Sequence, residues 1–177
     1  MHWLSGPQLR AAPSFVQVRE TLFADPRAFE IELSMARRAQ EKFLILMVDD
    51  SADDCLLLKM AVSKTERLHF LGSLSDGDEV IDYLNGAGKY ADRDKYPVPD
   101  MLLLDLKMPR KDGFEVLSWL KQQPFDDMVV VVLSGSNQPE DVQKALSLGA
   151  DHYHTKDPNL EGHADLMRAL EEYLTGK

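Results

Sequence analysis

Four stretches of this sequence end in side chains that could bind a metal ion or act on a phosphoryl group. Three of the stretches are short and apolar, which is typical of strands in a parallel sheet that is covered on both faces. The carboxyl ends of such strands meet at one edge of the sheet, where open α/β sheets bind ligands. The side chains at these ends belong to Asp49, Asp50, Asp105, Ser134 and Lys156.

The three carboxylates in this set indicate the chemistry. Carboxylates gathered at one edge repel each other unless a cation lies among them. Oxygen ligands that leave room for water suit Mg²⁺ or Mn²⁺. A divalent metal beside a free carboxylate supports phosphate chemistry. We therefore expect a magnesium- or manganese-dependent site that handles phosphate groups.

The elements that must position these side chains alternate along the chain. The pattern predicts strands at 43–48, 68–72, 101–105, 128–133 and 151–155. It predicts helices at 53–63, 76–85, 113–122, 139–148 and 160–174. Such alternation favours βα units around a parallel sheet. Between Asn85 and Pro99, glycines and prolines break the helix and delay the third strand.

The order and spacing of the candidate residues resemble the receiver domain of two-component response regulators, over about residues 42–174. The resemblance rests on an acidic pair, an Asp followed by Pro and Gly four and eight residues later, a Ser, and an aromatic residue three positions before a Lys. In this chain these are Asp49, Asp50, Asp105, Pro109, Gly113, Ser134, Tyr153 and Lys156. The long connection before the third strand also looks like that of stand-alone, single-domain regulators, which include phytochrome-associated ones.

A flavodoxin-like α/β fold follows from this resemblance. We expect a doubly wound, five-stranded parallel sheet in the order 2-1-3-4-5, with five helices and an N-terminal extension. The switch point of that sheet lies between strands 1 and 3, where Asp49, Asp50 and Asp105 would meet.

The resemblance also implies a role for each site residue. Asp105 would be the phosphoacceptor, and its carboxylate would hold Mg²⁺ together with Asp49, Asp50 and the backbone carbonyl of Lys107. Lys156 would pair with the acceptor carboxylate and then with the phosphoryl oxygens. The catalytic set would thus be Asp105, Ser134 and Lys156.

Two residues would form a switch. Ser134 would donate a hydrogen bond to the phosphoryl group, and Tyr153 would rotate inward as Ser134 moves. One departure concerns the following loop, because receivers commonly place Pro directly after the Lys, through a cis bond. Here Asp157 intervenes before Pro158, so the loop around Lys156 is expected to differ.

The composition indicates which class of partner the protein binds and in which cellular compartment it folds. A chain of 177 residues with one cysteine, Cys55, is expected to fold without disulfides, and no apolar run approaches the roughly 20 residues needed to cross a bilayer. A formal charge of −10 opposes binding to nucleic acids or anionic lipid. We therefore expect a cytoplasmic protein with protein partners. Residues 1–41 are interpreted as an extension, disordered or partly helical from Asp25 and Pro26, and residues 42–177 as the receiver.

The predicted function is a phosphorylation-switched receiver of a two-component phosphorelay. It would accept a phosphoryl group from a sensor histidine kinase and catalyse only its own phosphorylation and dephosphorylation. Because little chain follows Leu174, it would act on a downstream protein target or a phosphotransfer protein. Its oligomeric state, monomer or dimer, stays open. Two alternatives stay open. One is a haloacid-dehalogenase-like phosphatase, a family that requires an Asp at the position of Lys107, and the other is a receiver-like binding module that is never phosphorylated.

Overall fold

The predicted strands form one five-stranded parallel sheet in the structure, a computed structural model that describes residues 42–176. The strands are β1 Phe43–Val48, β2 Leu68–Leu74, β3 Met101–Leu104, β4 Val129–Ser134 and β5 His152–Thr155. Neighbouring strands are all parallel, and their order is β2-β1-β3-β4-β5. The predicted fold class and strand order are therefore confirmed.

Five α-helices connect or follow these strands, and their ends differ by no more than two residues from the predicted ones. The helices are α1 Ala52–Val62, α2 Gly77–Asn85, α3 Gly113–Leu120, α4 Pro139–Ser147 and α5 Leu160–Gly176. The first three begin at residues whose side chains accept a hydrogen bond from the first turn, namely Ser51, Asp76 and Asp112. These caps place the helix starts at the edge of the sheet where the candidate residues lie.

The central strand β3 is covered on both faces, which requires the unbroken apolar run Met101–Leu104. Leu102 and Leu104 pack on the side that α2, α3 and α4 cover, whereas Met101 and Leu103 pack on the side of α1 and α5. All four side chains are fully buried. Both faces of β3 are therefore apolar, and a polar side chain is tolerated only after the strand ends.

Strand β2 is longer than predicted, because the glycine at its middle forms a bulge instead of ending the strand. Ile45 pairs with Phe70, and the next residue of β1 pairs with Gly72, so that Leu71 is an extra residue in the ladder. A glycine inside a strand often marks such a bulge. The sequence interpretation placed the end of β2 at this glycine, whereas the ladder continues to Leu74.

The long connection between α2 and β3 folds onto α2. The rings of Tyr83, Tyr90 and Tyr96 pack together with centroid separations of 4.9 to 6.0 Å. Arg93 donates a hydrogen bond of 2.8 Å to the carbonyl of Tyr83, near the C-terminal end of the helix. The connection is thus an ordered cap on α2 and not a loose insertion.

The expectations for residues 1–41, including the helix that begins at Asp25 and Pro26, lie outside the described residues. The division between an extension and a receiver at residue 41 therefore stays a prediction. Of the helices in the described part of the chain, none has the length and apolar character that a membrane span requires.

Candidate functional site

The backbone of the sheet places two acids side by side at its edge. Asp49 follows β1 and donates its N–H to the carbonyl of Leu74 at 2.9 Å. Asp105 follows β3 and donates its N–H to the carbonyl of Val48, also at 2.9 Å. Both residues thus continue the hydrogen-bond ladder by one position. Their side chains emerge where the apolar strands end.

Three carboxylates form one cluster at this edge. Asp49, Asp50 and Asp105 each offer an oxygen, and these oxygens lie within 4.8 Å of one another. Asp49 and Asp105 are only 3% and 6% exposed, whereas Asp50 faces solvent. This is the only group of its kind among residues 42–176. The three acids predicted as metal ligands are therefore brought together.

The environment of Asp49 fits a bound cation. Burial raises the pKa of Asp49, the ammonium of Lys156 and a hydrogen bond from the N–H of Ser51 oppose that rise, and the charge of Asp105 adds to it. The buried Oδ2 of Asp49 forms an ion pair with Nζ of Lys156 at 2.6 Å but has no hydrogen bond of good geometry. A buried carboxylate oxygen without a well-directed donor, next to two further carboxylates, is a suitable ligand for a hard cation such as Mg²⁺ or Mn²⁺.

Lys156 brings a positive charge to the same cluster. Its N–H donates to the carbonyl of Ser134 at 2.8 Å, which holds the residue at the end of β5. Its Nζ lies 2.6 Å from Oδ2 of Asp49 and 3.2 Å from Oδ2 of Asp105. Burial alone would lower the pKa of Lys156, but the surrounding carboxylates raise it. The lysine is therefore a fixed positive charge beside the predicted acceptor.

A further carboxylate, Asp54, contacts Lys156 and was not singled out from the sequence. Its Oδ2 accepts a hydrogen bond of 2.8 Å from Nζ of Lys156. Asp54 lies in the first turn of α1, where acidic residues are common for reasons of helix stability alone. The only available signal was its position one helical turn after the acidic pair.

The loop that follows Lys156 contains the departure from the receiver pattern. Asp157 turns its carboxylate toward the start of α5, where Oδ1 accepts a hydrogen bond of 2.7 Å from the N–H of Asn159. The same carboxylate packs against Gly162, where a Cβ atom would collide with it. The described residues include no cis peptide bond. With this local arrangement, Lys156 still reaches the acid cluster.

The two predicted switch residues are joined through a third, Ser136. Ser134 is fully buried at the end of β4, and its Oγ lies 3.4 Å from the N–H of Ser136, which donates to it. The hydroxyl of Tyr153 donates a hydrogen bond of 2.8 Å to the carbonyl of Ser136. Burial raises the pKa of Tyr153, so this hydroxyl keeps its proton at neutral pH. In this structure Tyr153 is turned toward the loop that follows β4.

The loop after the acceptor carries Lys107, whose side chain is exposed. The loop bends back at once, since the N–H of Leu106 donates to Oδ1 of Asp105 at 2.7 Å and Gly113 donates to the carbonyl of Leu106 at 3.1 Å. A Cβ atom at Gly113 would lie 2.8 Å from Cα of Leu106 and nearer still to the carbonyl of Asp105. Only glycine permits this close approach of the helix start to the acceptor.

Arg110, in the same loop, is a second feature that the sequence interpretation missed. Its backbone adopts the left-handed conformation, with φ of 63°, the one non-glycine residue to do so in the described part of the chain. Its guanidinium pairs with the buried carboxylate of Asp76, the residue that caps α2. A neighbouring pair joins Lys111 to Asp78 at 2.5 Å. These contacts fasten the acceptor loop to the start of α2.

Comparison with known proteins supports the resemblance inferred from the residues. Residues 45–170 match the family model described as the response regulator receiver domain. Response regulator Rcp1 of Synechocystis is 34% identical over 131 residues, which cover 73% of this chain and 87% of Rcp1.

Solved structures give the same result. The crystal structure of phosphorylated RcpA, a cyanobacterial phytochrome response regulator, aligns with a TM-score of 0.68 at 34% identity and covers 75% of this chain and 93% of RcpA. The structure of Mn²⁺-bound Rcp1 aligns with a TM-score of 0.64 at 32% identity, covering 75% of this chain and 94% of that one. The predicted resemblance is confirmed, and neither the phosphatase nor the unphosphorylated binding module is favoured.

Proposed function

The chain belongs to the family of response regulator receiver domains, which act in phosphorylation-switched signalling, and we propose that Asp105 is the residue it phosphorylates. The observation that carries this proposal is the position of Asp105 beside the two other carboxylates of the acid cluster and a half-buried lysine. Its Oδ2 lies 3.2 Å from Nζ of Lys156, and an oxygen of its carboxylate lies within 4.8 Å of oxygens of Asp49 and Asp50.

The proposed reaction transfers a phosphoryl group from a phosphohistidine of a sensor kinase. A carboxylate oxygen of Asp105 attacks phosphorus, the bond from phosphorus to the histidine nitrogen breaks, and the electron pair stays on that nitrogen. Asp105 becomes an acyl phosphate. Lys156 stabilises the negative charge on the phosphoryl oxygens, and the buried Ser134 donates a hydrogen bond to one of them. The chain would catalyse only this reaction and the hydrolysis of the product.

The proposed ligands of a divalent cation are the carboxylates of Asp49, Asp50 and Asp105 and the backbone carbonyl of Lys107. Mg²⁺ or Mn²⁺ would supply positive charge that offsets repulsion between the acids and the incoming phosphoryl group. The donor set of oxygens, with one partner exposed to water, supports this choice of metal. The related protein Rcp1 has a structure described as Mn²⁺-bound.

The proposed switch couples the acyl phosphate to the loop after β4. Movement of Ser134 toward the phosphoryl group would shift Ser136, because the N–H of Ser136 donates to Oγ of Ser134. The position of Tyr153 would change in turn, because its hydroxyl donates to the carbonyl of Ser136. Because Tyr153 lies on β5, the change would reach the surface formed by α4, β5 and α5. That surface is our candidate for binding a downstream protein or a phosphotransfer protein.

The proposed partner is a sensor histidine kinase, and we place this chain in the cytoplasm. RcpA is described as a phytochrome response regulator, and we therefore place phytochrome-type kinases first among the candidates. Phosphotransfer measured from each histidine kinase of the source organism would identify the partner, as the kinase that labels the chain fastest. Equal rates from all kinases would contradict a dedicated pairing.

Labelling by a small phosphodonor tests the assignment of Asp105 directly. With acetyl phosphate and Mg²⁺, intact-protein mass spectrometry should show one added phosphoryl group, and removal of the metal with a chelator should abolish it. Asp105→Asn keeps the shape but removes the nucleophile, and should show no labelling. Asp127→Asn, which changes an exposed aspartate elsewhere, is the matched control. Labelling that persists in Asp105→Asn would refute the assignment.

A further inference from the structure

The ammonium group of Lys156 has one carboxylate partner that belongs neither to the acid cluster nor to the phosphoacceptor. Oδ2 of Asp54 lies 2.8 Å from Nζ, closer than the 3.2 Å that separates Nζ from Oδ2 of Asp105. The two residues are 102 positions apart in the sequence. The contact therefore joins the start of α1 to the residue that follows β5.

Asp54 is held in place by a chain of hydrogen bonds that begins in the acid cluster. The N–H of Ser51 donates to Oδ1 of Asp49 at 2.9 Å, and the N–H of Asp54 donates to Oγ of Ser51 at 3.2 Å. The first turn of α1 is thereby fixed relative to Asp49. The side chain of Asp54 is 30% exposed and that of Lys156 is 15% exposed. A pair shielded to this extent is screened less by solvent than a surface pair.

An ammonium group has three protons and so can serve three acceptors. Two of the three carboxylates that pair with Nζ, those of Asp49 and Asp105, belong to the cluster that would hold a cation, so their charge would be shared with that cation. Asp54 is not in that cluster. It is therefore the one carboxylate partner of Lys156 whose charge stays committed to the lysine when the cation and a phosphoryl group are present.

We propose that Asp54 is a positioning residue, which holds the ammonium of Lys156 at the α1 side of the site so that the lysine meets the phosphoryl oxygens from a fixed position. This inference rests on the proposed roles of Asp105 and Lys156. A charged group that is oriented before the reaction stabilises the transition state more effectively than one that must be drawn into place. Removal of Asp54 should therefore slow phosphorylation even when the metal is saturating.

The chain offers a closely matched control in Asp53, the neighbouring acid of the same helical turn. Asp53 is exposed and forms no ion pair with Lys156, so Asp53→Asn makes the same change in charge and in helix stabilisation without touching the lysine. Labelling rates with acetyl phosphate at saturating Mg²⁺ should fall about three- to tenfold in Asp54→Asn, and less than about twofold in Asp53→Asn.

A double-mutant cycle separates an effect through Lys156 from any other effect. In a Lys156→Ala background, Asp54→Asn should change the labelling rate by less than about twofold, because the residue that Asp54 positions is gone. A readout without metal or donor is the NMR resonance of the Lys156 Cε group. It should shift in Asp54→Asn and keep its position in Asp53→Asn.

The inference is overturned if Asp53→Asn and Asp54→Asn slow labelling equally, or if Asp54→Asn slows the Lys156→Ala protein as much as it slows the wild type. Thermal melts of every variant check that each is folded, and an unfolded Asp54→Asn is replaced by Asp54→Ser in the same cycle. A wild-type protein that accepts no label contradicts the proposed function itself. A labelled wild type with an unaffected Asp54→Asn contradicts only this inference.

Discussion

Burial and charge oppose each other at Asp49 and Lys156. Burial raises the pKa of the Asp49 carboxyl and would lower that of the Lys156 ammonium, so each group is unfavourable in this position without the other. Their separation of 2.6 Å reduces the energetic penalty for both. A pair of this kind contributes little net stability but is costly to break. It is therefore better explained by the chemistry of the site than by the stability of the fold.

The exposed side chain of Lys107 leads to a prediction about the lifetime of the acyl phosphate. Lys107 is the second residue after Asp105, and we expect its exposed side chain to lie beside the path by which water would reach phosphorus in line, where its bulk and charge should shield the bond. Lys107→Ala and Lys107→Asn should lose the phosphoryl group at least about twofold faster, a change of roughly 0.4 kcal/mol in the barrier. The measurement follows loss of label over time in Mg²⁺.

Lys64→Ala is the control for this experiment. Lys64 is also an exposed lysine, but it follows α1 and lies outside the acceptor loop. Its removal should leave the decay rate unchanged. Equal or slower decay in the Lys107 variants would show that the side chain does not shield the bond.

The acceptor loop between β3 and α3 is held by two sets of contacts. Where α3 begins, Gly113 lies against the backbone of Asp105 and Leu106, so the two ends of the loop meet. Just before α3, Arg110 pairs with the buried Asp76, and the N–H of Gly77 donates to the carbonyl of Lys111 at 3.2 Å. The acceptor loop and the starts of α2 and α3 are therefore fixed relative to one another.

Gly113→Ala should lower the stability of the protein and disturb the acceptor site. The added methyl group cannot fit without moving the backbone of Asp105, and such overpacking typically costs about 1–3 kcal/mol. Urea unfolding should show that loss, and labelling of Asp105 should slow in the same protein. Gly135→Ala, at a glycine with nothing within 4 Å of the added Cβ, should keep the stability of the wild type. Equal stability of the two variants would contradict the packing argument.

Helix α2 carries the most strongly shifted carboxyl outside the site. Hydrogen bonds from Lys89 and Tyr90 lower the pKa of Glu79 to about 2, from the ordinary value of 4.5. The hydroxyl of Tyr90 lies 2.7 Å from Oε1, and the N–H of Ser75 lies 3.2 Å from Oε2. A carboxyl whose pKa is lowered by folding stabilises the protein above the unfolded pKa, and that contribution is lost as the pH falls through the folded pKa.

Glu79→Gln should therefore destabilise the protein in a pH-dependent manner. The difference in unfolding free energy from the wild type should be about 1 kcal/mol at pH 7. It is no larger because Lys89 is largely exposed, so that solvent screens the contribution of its ion pair with Glu79. It should shrink as the pH falls from about 4.5 toward about 2. Urea unfolding at several pH values provides the measurement. A difference for Glu79→Gln that is constant with pH would refute the explanation.

The whole receiver unit contains two apolar layers, one on each face of the sheet. One layer joins the sheet to α2, α3 and α4, and the other joins it to α1 and α5. Within residues 42–176, these two layers cover both faces of the sheet. The unit thus contains the interactions that a domain of this size needs for cooperative folding.

Deletion of residues 1–40 should therefore leave a domain that melts cooperatively and is labelled on Asp105 at the rate of the full chain. Circular dichroism follows the melt, and mass spectrometry follows the label. Loss of the cooperative transition would mean that residues such as Phe29 and Leu33 complete the core. That result would contradict the proposed division at residue 41.

Much of this site could be predicted from the sequence, because apolar strands that end in acids follow a local pattern. Asp49, Asp105, Ser134 and Lys156 each follow or end a strand, and parallel strands necessarily bring these ends to one edge. The position of a strand end depends on a few neighbouring residues, so the sequence carries that information directly.

Only the tertiary structure decided which polar groups meet across that edge. The contact of Asp54 with Lys156 depends on how the start of α1 and the end of β5 are brought together, and the pair of Arg110 with Asp76 depends on the closure of the acceptor loop. The bulge at Leu71 likewise depends on the register with β1. Each of these features is a relation between distant segments. The free energy that selects it comes from packing of the whole sheet, which no local pattern contains.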